Sequence, residues 1–449
     1  MKLSPETGRE ARDLIAGRLG LEFRDDRKDD LERALERARR ASRCGTPEDC
    51  LAWLRDLPAD SPPWKRLASD LTIGETYFFR DSGVFAALEG EVLPALVAKR
   101  RSESNPRLRI WSAGCATGEE PYSLAIALDR LLPDRSGWAV TVLATDIDNA
   151  ALQTARLGLY RDWSFRQTPE PIRARYFQRR EDDRFELDPE IRRMVTFAPL
   201  NLAEEVFPDP VTNTSAMDLI LCRNVLMYFT HETQIRCVVR LQRALVNGGW
   251  LVISPAESSA DLLGPLVPVS FPGATLYRRE RAVEAGPAEP APDVMCPSVP
   301  RSAPAAAPVR CRPPGENRSA PSLLQEARLL ADRGDLEEAR RLCAAAAAQD
   351  RLSPESHVLL AAICLELADT AAAVAELRRA LYLAPDSASA HFLLGTLLVR
   401  QGKKRRGRKS LETVVTLLEP LPADQAVPCT DGLTAGRLKE VARAYLAEA

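Results

Sequence analysis

The residues with the clearest chemical signature form one run, Trp111-Ser-Ala-Gly114-Cys-Ala-Thr-Gly118-Glu119-Glu120-Pro-Tyr-Ser123. Two glycines between a strand and a helix let the backbone approach a ligand at the carboxyl edge of a sheet. The spacing is neither GxGxxG nor a P-loop, because no Gly-Lys-Ser/Thr follows. Glu119 and Glu120 at the helix start would repel a phosphate, whereas they would attract a sulfonium or amino group. By itself, such a turn is equally consistent with a purely structural role.

A second acidic position strengthens the interpretation as a ligand site. The segment Ala144-Thr145-Asp146-Ile147-Asp148 places Asp146 at the carboxyl end of the next predicted strand. A carboxylate there can accept hydrogen bonds from a ribose diol, as in nucleoside-cofactor folds. The alternative role is helix N-capping, which suits Asp148. Both roles can be filled together, because the chain offers two carboxylates.

Histidine and cysteine chemistry is not expected in this chain. The three histidines, His231, His357 and His391, form no Ser-His-Asp array. The ten cysteines contain no CxxC pair, and no histidine stands beside them at zinc spacing. We therefore expect no metal site and predict reduced, mostly buried thiols.

The elements that must position these residues are short strands alternating with helices. Such alternation predicts a parallel sheet with helices on both faces. Strands are predicted at 108–111, 139–144, 218–221 and, after a Gly248-Gly249 turn, 250–253, with a helix over 121–132 that begins with a proline. Before this region, residues 1–80 are predicted to form a helical domain with helices over 29–43 and 48–57.

The C-terminal part of the chain is predicted to be a separate repeat module. Residues 281–321, rich in Pro, Ala, Ser and Glu, form a predicted linker. Gly334, Ala368 and Gly402 then recur at a spacing of 34 residues, each between two helical stretches. Small and large residues that would interlock paired helices follow the register of tetratricopeptide repeats at Leu360, Ala361, Ala373, Leu377, Ala380, Pro385, Leu394 and Gly395.

This register covers about 322–420 and departs from the repeat pattern twice. The first proline arrives late, as Pro354, and a basic run, 403–406, precedes the last predicted helix. Residues 421–449 are predicted to form a C-terminal helix. The alternative to repeats is an ordinary bundle of helical hairpins.

Composition and charge argue against several classes of protein. Hydrophobic residues make up 45% and charged residues 28%, as in globular proteins with large cores. The net charge of −2 provides no basic field for nucleic acid. Membrane insertion is not expected, because no apolar run reaches the roughly 18–20 residues of a membrane span. The charged N-terminus lacks a signal peptide's apolar core, so a cytoplasmic location is expected.

Five motifs in series resemble the chemotaxis receptor methyltransferase (CheR) family over about residues 1–280. They are TIGETYFFR at 72–80, WSAGCATGEEPYS at 111–123, ATDID at 144–148, FAPLNL at 197–202 and LCRNVLMYF at 221–229. The resemblance implies a doubly wound α/β methyltransferase sheet over 81–280. It also implies a helical N-terminal domain that closes over S-adenosylmethionine.

The resemblance also assigns cofactor contacts by position. It places Thr76 and Arg80 at the methionine end, Glu120 at the amino acid portion, Asp146 at the ribose, Asn201 and Leu202 at the adenine, and Cys222, Arg223 and Asn224 at the pocket floor, with Gly74 and Gly114 also in contact. Gly74 departs from the family, which has Asn there. The corresponding hydrogen bond is either missing or supplied by Glu75 or a water.

The implied chemistry is esterification of glutamate. A glutamate carboxylate, with a reference pKa of about 4.3, is ionised at neutral pH and needs no general base. The enzyme must align carboxylate, methyl and sulfur, and exclude water. Arg223 is expected to orient the carboxylate through two parallel hydrogen bonds, and Tyr228 to line its path. The alternatives are a surface ion pair for Arg223 and a core role for Tyr228.

Two inserts are candidates for substrate selection. Arg33, Arg37, Arg40 and Ala41 share one helix face, which in relatives reads acidic receptor helices. Acidic residues dilute this patch, so a solvated face is preferred. Residues 160–194 resemble the small β-subdomain with which some relatives grip a receptor's C-terminal tail.

The sequence therefore predicts a glutamate methyltransferase acting on a chemoreceptor-type protein, with repeats that bind a further peptide or protein. The alternatives are a cofactor-binding repeat scaffold of a chemosensory complex and a methyltransferase with another protein or small-molecule acceptor.

Overall fold

The computed structural model of the protein describes residues 3–58, 61–101, 106–133, 135, 137–209, 212–280, 319–333, 335–367, 369–428, 430 and 433–448. Most of the predicted linker, 281–318, lies outside this range, as do the repeat positions Gly334 and Ala368.

The N-terminal domain consists of four helices around a shared apolar core. They are α1 (Pro5–Leu19), α2 (Lys28–Ser42), α3 (Pro47–Asp56) and α4 (Pro62–Leu71). The Ser4 hydroxyl caps α1 by accepting from the Thr7 amide at 3.0 Å, and Thr46 and Asp49 form a capping box that starts α3. Trp64 is fully buried and donates its indole N–H to the Leu54 carbonyl at 2.9 Å.

A seven-stranded sheet forms the centre of the second domain. The strands are β1 (Arg107–Ala113), β2 (Ala139–Asp146), β3 (Leu159–Tyr160), β4 (Phe177–Arg179), β5 (Phe185–Leu187), β6 (Val195–Pro199), β7 (Met217–Leu221), β8 (Leu245–Val252), β9 (Leu266–Phe271) and β10 (Ala274–Arg279). The large sheet has the order β6-β2-β1-β7-β8-β10-β9. Its first five strands pair in parallel, which confirms the predicted doubly wound core.

Two expectations for this sheet were wrong in detail. Strands β9 and β10 add an antiparallel hairpin, so the sheet is mixed rather than wholly parallel. Gly248 and Gly249 form no turn before a strand. They lie inside β8, where the register with β7 shifts between Met217 and Leu219. Gly248 has φ +79°, a conformation that glycine adopts without strain.

Helices cover both faces of the sheet. They are α5 (Ser82–Ala87), α6 (Leu93–Arg101), α7 (Glu119–Leu131), α8 (Asn149–Leu157), α9 (Glu170–Tyr176), α10 (Pro189–Arg193), α11 (His231–Ala244) and α12 (Ala260–Leu263), with a π turn at Leu88–Val92 between α5 and α6. Alternate strand residues enter opposite apolar clusters: Trp111 and Leu143 lie in one, Ile110 and Val142 in the other. This follows from the two-residue period of a strand.

A second sheet of three short strands, in the order β3-β5-β4, lies between β2 and β6 in the chain. Both strand pairs are antiparallel. The resulting insert occupies the segment in which a β-subdomain is expected.

The C-terminal part forms three helical hairpins and a final helix. The helices are α13 (Ala320–Arg333), α14 (Leu336–Gln349), α15 (Pro354–Glu366), α16 (Thr370–Leu383), α17 (Ala388–Arg400), α18 (Lys404–Leu418) and α19 (Ala435–Glu448). The small repeat positions Ala361, Ala373 and Ala380 are fully buried, as the interlocking pattern requires. A Cβ on Gly395 would lie 2.8 Å from Leu411 Cγ, so this glycine lets α17 and α18 approach closely.

Three predicted boundaries differ from the structure. Pro354 was expected to be the late helix-ending proline of the first repeat. In the structure it is instead the first residue of α15. The basic run does not precede the last repeat helix, since Lys404 begins α18. The C-terminal helix starts at Ala435 rather than near 421.

The repeat module packs directly on the domain that contains the seven-stranded sheet. Arg109 on β1 and Glu366 on α15 form an ion pair at 2.9 Å, in which both side chains are almost fully buried. Ala216 and Val246 of the sheet domain share one apolar cluster with residues of α13 to α17. Within the described residues, no helix has the length and apolar character needed to cross a membrane.

Candidate functional site

A cavity lies at the carboxyl edge of the sheet, where β1, β2, β6 and β7 end. In parallel α/β sheets this edge is the usual place for a ligand. Its walls come from three parts of the chain: the end of α1 with the following residues, the loop after α4, and the loops after the strands. The lining residues are Leu19, Leu21, Thr72, Ile73, Gly74, Gly114, Ala116, Asp146, Ile147, Asp148, Ala151, Leu200, Asn201, Leu202, Asn224, Val225, Tyr228 and Phe229.

Gly114 is required at the turn after β1. It has φ +85°, and a Cβ there would lie 2.3 Å from a methyl group of Val225. Any larger residue would therefore push the β7 loop away from the β1 turn. The turn is held by the Thr145 carbonyl, which accepts from the amides of Gly114 at 2.7 Å and Cys115 at 3.0 Å.

Asp146 reaches into the site from the end of β2. Its Oδ2 accepts from the Ala116 amide at 2.7 Å, and its Oδ1 accepts from the Asp148 amide at 2.8 Å. Burial raises the pKa of Asp146, while these backbone hydrogen bonds oppose the rise. Asp148 caps α8 by accepting from the amides of Ala150 at 2.9 Å and Ala151 at 3.2 Å. Asp148 also accepts from the Ser69 hydroxyl of α4, which joins the helical domain to the site.

The loop after β7 is held by a residue that sequence reasoning missed, Glu257. Its Oε1 accepts from the amides of Val225 at 2.6 Å and Met227 at 3.2 Å, and its Oε2 from Asn224 at 2.8 Å and Ser254 at 3.1 Å. The side chain is 5% exposed. The available signal was the capping-box spacing of Ser254 and Glu257.

Arg223 forms a charged corner beside the cavity. Its Nη1 lies 3.1 Å from Glu120 Oε2, and its Nη2 lies 3.3 Å from Asp81 Oδ2. Ser112 donates to the other oxygen of Glu120 at 2.8 Å. Arg223 Nε is buried and has no hydrogen-bond partner among the described residues.

The predicted site residues fall into two groups. Gly74, Gly114, Asp146, Asn201, Leu202, Asn224 and Tyr228 line the cavity. Thr76, Arg80, Glu120, Cys222 and Arg223 are not among its wall residues. Of these, Arg80 directly precedes Asp81 in the chain and donates to the Glu75 carbonyl at 2.9 Å. A Cβ on Gly74 would lie 3.9 Å from the Ala116 Cβ, so a larger side chain fits there.

Cys222 directly follows β7, and its amide donates to the Val252 carbonyl of β8 at 2.9 Å. Its side chain is fully buried. A hydrogen bond with Cys237, together with burial, raises the pKa of this thiol well above its usual value. The neutral thiol is therefore not a nucleophile at physiological pH.

The N-terminal domain contributes apolar walls that no motif indicated. Leu19 and Leu21 line the cavity on either side of Gly20. A β-bridge pairs Leu21 with Phe229, and the Glu22 amide donates to the Tyr228 carbonyl at 2.7 Å. These contacts fix the helical domain against the loop that carries Tyr228.

The arginines expected on one face of α2 are paired within their own domain. Arg37 lies 2.9 Å from Asp70, Arg40 lies 2.7 Å from Glu36, and Arg33 pairs with Asp30. These arginines are half or more exposed, and the pairs leave little net positive charge on this face.

Comparison with known proteins agrees with this geometry. Residues 74–262 match the model of the CheR methyltransferase, SAM binding domain. A chemotaxis protein methyltransferase of Borreliella burgdorferi is 35% identical over 193 residues, which cover 43% of this chain and 67% of that protein. The chain belongs to the chemotaxis protein methyltransferase family.

Two further members of this family have a similar sequence identity to this chain. Chemotaxis protein methyltransferase 1 of Pseudomonas aeruginosa is 35% identical over 196 residues, covering 43% of this chain and 69% of that protein. A probable chemotaxis protein methyltransferase of Rhizobium etli is 34% identical over 203 residues, which cover 44% of this chain and 73% of that protein. Residues 354–387, which span α15 and α16, match a tetratricopeptide repeat.

The family's cofactor is S-adenosylmethionine, and the cavity suits it. The carboxylates of Asp146 and Asp148 are acceptors for hydroxyl groups, and Ile147, Leu200 and Leu202 provide apolar surface for a flat base. The acidic groups at this edge favour a cation and disfavour a phosphate. The chain is thus a SAM-dependent methyltransferase with a C-terminal repeat module.

Proposed function

We propose that the protein methylates glutamate side chains of a chemoreceptor-type signalling protein in the cytoplasm, and that its repeats bind a further protein of the same pathway. The observation that carries the proposal is the Arg223 corner. A buried guanidinium lies between two carboxylates, beside a cavity suited to S-adenosylmethionine.

Among the cavity residues, Asp146 would accept from the ribose diol, Asn201 and Leu202 would border the adenine, and Gly74 and Asn224 would lie at the floor. Beside the cavity, Glu120 with Thr76 and Arg80 would hold the amino acid portion, and Cys222 would lie below the floor. Gly114 allows the β1 turn and the β7 loop to close on the cofactor from both sides.

The cofactor supplies a methyl group on a positively charged sulfur. The acceptor glutamate is ionised at neutral pH, so no base is required. Arg223 would pair with one or both oxygens of that carboxylate and orient it. Glu120 and Asp81, which pair with Arg223, keep its guanidinium in place. Tyr228 lines the cavity and would border the acceptor's path. Alignment of the reacting groups is the main source of acceleration in such a reaction.

The test is transfer of labelled methyl from S-adenosylmethionine to receptor cytoplasmic fragments. We expect label on glutamate, released as methanol by base, and at least 100-fold less transfer by Asp146→Ala. Glu412→Ala is the control, because Glu412 is 57% exposed on α18, far from the cavity in the chain, and pairs with Arg408 on the same helix. Base-stable label would show that the acceptor is not a carboxylate, and the ester proposal would then fail.

A further inference from the structure

The first helix of each repeat hairpin faces the sheet domain of the same chain. Residues of α13 share an apolar cluster with Ala216 and Val246. Glu366 of α15 pairs with Arg109 of β1, and Phe392 of α17 lines a space shared with β1 and β2. Helical repeats bind partners on the extended surfaces that stacked repeats create. Since the sheet domain covers the face that carries α13, α15 and α17, a partner protein needs another surface of this module.

The second helices, α14 and α16, border a groove with an apolar floor. The lining includes the buried residues Ala347 and Leu360, and Leu352 and Tyr382 stand at its edge. Leu352 is 78% exposed and Tyr382 is 88% exposed, the two highest fractions among the large apolar and aromatic side chains that the structure describes. Two such side chains beside one apolar groove indicate an interaction surface. We refer to this feature as the outer groove.

Arginines outnumber carboxylates in the outer groove. The lining contains three arginines, Arg351, Arg378 and Arg379. Its one carboxylate, Glu376, pairs with Arg379 at 2.5 Å. Asp350, next to Arg351 in the chain, is not part of the lining. Among the described residues, Arg351 and Arg378 make no ion pair and no side-chain hydrogen bond. These two guanidinium groups favour a partner that brings carboxylates.

The outer groove offers few polar groups to an extended peptide. His357 Nδ1 and Glu376 Oε2 lie 2.7 Å apart, and their side chains are only 10% and 11% exposed. An extended segment would bring backbone amides and carbonyls that need hydrogen-bond partners, whereas a helix satisfies its own. Ala344 and Ala347, one turn apart on α14, leave room for a helix to approach closely. The groove therefore suits a helix with an apolar stripe.

We propose that the outer groove binds an acidic amphipathic helix of a partner protein. The apolar stripe of that helix packs against Leu352 and Tyr382, and its flanking carboxylates pair with Arg351 and Arg378. This inference rests on the part of the proposed function in which the repeats bind a further protein, and it names the surface and the chemistry of that binding.

The binding test uses the full chain and two fluorescently labelled synthetic helices. Both carry leucines at helical spacing, one with glutamates beside them and the other with lysines. We expect anisotropy to show about tenfold tighter binding of the glutamate helix, because like charges across an interface are costly. Tyr382→Ala and Leu352→Ser should each weaken that binding about tenfold, as for residues central to an interface. Leu157→Ser is the control, because Leu157 is 58% exposed on α8 and lies outside the groove.

Charge reversal tests the role of the two arginines. Arg351→Glu combined with Arg378→Glu should make the protein prefer the lysine helix, because the repulsion is then transferred to the glutamate helix. Arg405→Glu with Arg406→Glu is the matched control, since both arginines are exposed on α18 of the same module. The proposal would be overturned if the unaltered protein bound neither helix or both equally, or if the charge-reversed protein kept the original preference.

Methyl transfer and sedimentation separate this inference from its alternatives. Transfer to a receptor cytoplasmic fragment should not change in the groove variants, because no residue of the groove lines the cofactor cavity. If the unaltered protein methylates no glutamate, the proposed catalytic function fails, while the binding of the synthetic helices still decides the role of the groove. A dimer in sedimentation that Tyr382→Ala converts to a monomer would show that the groove joins two copies of this chain, and the partner proposal would then fail.

Discussion

At the scale of single residues, the loop after β7 depends on one carboxylate. Glu257 accepts four backbone hydrogen bonds, from Asn224, Val225, Met227 and Ser254. In Glu257→Gln an amide NH₂ group would face two of these donors, which would then lose their acceptor. A buried donor without a partner costs about 1–3 kcal/mol. We expect a lower free energy of unfolding and, because Asn224 and Val225 line the cavity, a KM for S-adenosylmethionine raised about tenfold.

Urea unfolding and methyl-transfer kinetics measure the two effects of Glu257→Gln. Glu190→Gln is the control, since Glu190 is 65% exposed and pairs only with Arg193 on its own helix. If Glu257→Gln keeps both the stability and the KM of the unaltered protein, the four hydrogen bonds do not hold the loop.

The site shows which residues sequence reasoning can reach. Asp146 and Gly114 follow strands with buried apolar runs, and the carboxyl edge of a parallel sheet brings such positions together. Leu19 and Leu21 gave no signal, because an apolar residue that lines a cavity has the same sequence pattern as one in a core. Arg223 and Glu120 were assigned separate partners, but the fold pairs them with each other at 3.1 Å. Pairing of this kind depends on packing between distant segments.

At the scale of elements, buried strands were predictable, and edge strands were not. Strand β7 is buried at every position, and its apolar run is unambiguous. Strand β9 contains Pro268 and is half exposed, so its segment looks like a loop. The repeat helices were predictable from their spacing, but the packing of α19 against the catalytic domain was not, since it depends on charged side chains.

Helix α19 supports the side of the cavity that follows β6. Arg437 donates to the carbonyl of Pro199, which precedes the cavity residues Leu200, Asn201 and Leu202. Glu440 accepts from Lys65 of α4 at 3.0 Å and pairs with Arg437 at 2.7 Å. Although burial acts to raise it, the charges of Arg437 and Lys65 lower the pKa of Glu440. The helix thus holds the helical domain and the end of β6 together.

We expect Glu440→Gln to reduce the free energy of unfolding at neutral pH and to raise KM for S-adenosylmethionine several-fold. Because the pKa of Glu440 is depressed in the folded state, its stabilisation is present above the ordinary value of 4.5. It is lost as pH falls through the lower folded-state pKa, so the two proteins should converge in acid. Urea titrations across this pH range measure the difference.

Glu419→Gln is the control for this substitution, since Glu419 is 62% exposed and pairs with Lys439 and Arg443 at longer distances. A stability difference between Glu440→Gln and the unaltered protein that does not change with pH would contradict an ionic role for Glu440.

At the scale of the whole molecule, the repeats are part of the enzyme's packed structure. The sequence suggested a module joined to the catalytic domain by a linker. The contacts of α19 and the Arg109–Glu366 pair show that the module also docks on that domain. Removing the repeats would therefore expose Arg109 and disturb the side of the cavity that Leu200, Asn201 and Leu202 line. Point substitutions separate recruitment from catalysis better than truncation does.

The buried pair between Arg109 and Glu366 gives the sharpest test of this docking. Arg109 also donates to the carbonyls of Ser215 at 3.2 Å and Asn213 at 3.1 Å. Glu366→Ala leaves this guanidinium buried without its counter-ion, a loss of about 3–5 kcal/mol. We expect the repeats to detach, giving a lower unfolding midpoint and faster proteolysis between the domains. Arg109→Met combined with Glu366→Leu should restore most of the loss, because it removes both charges and fills the space. Equal midpoints for Glu366→Ala and the unaltered protein would mean that the pair does not hold the two domains together.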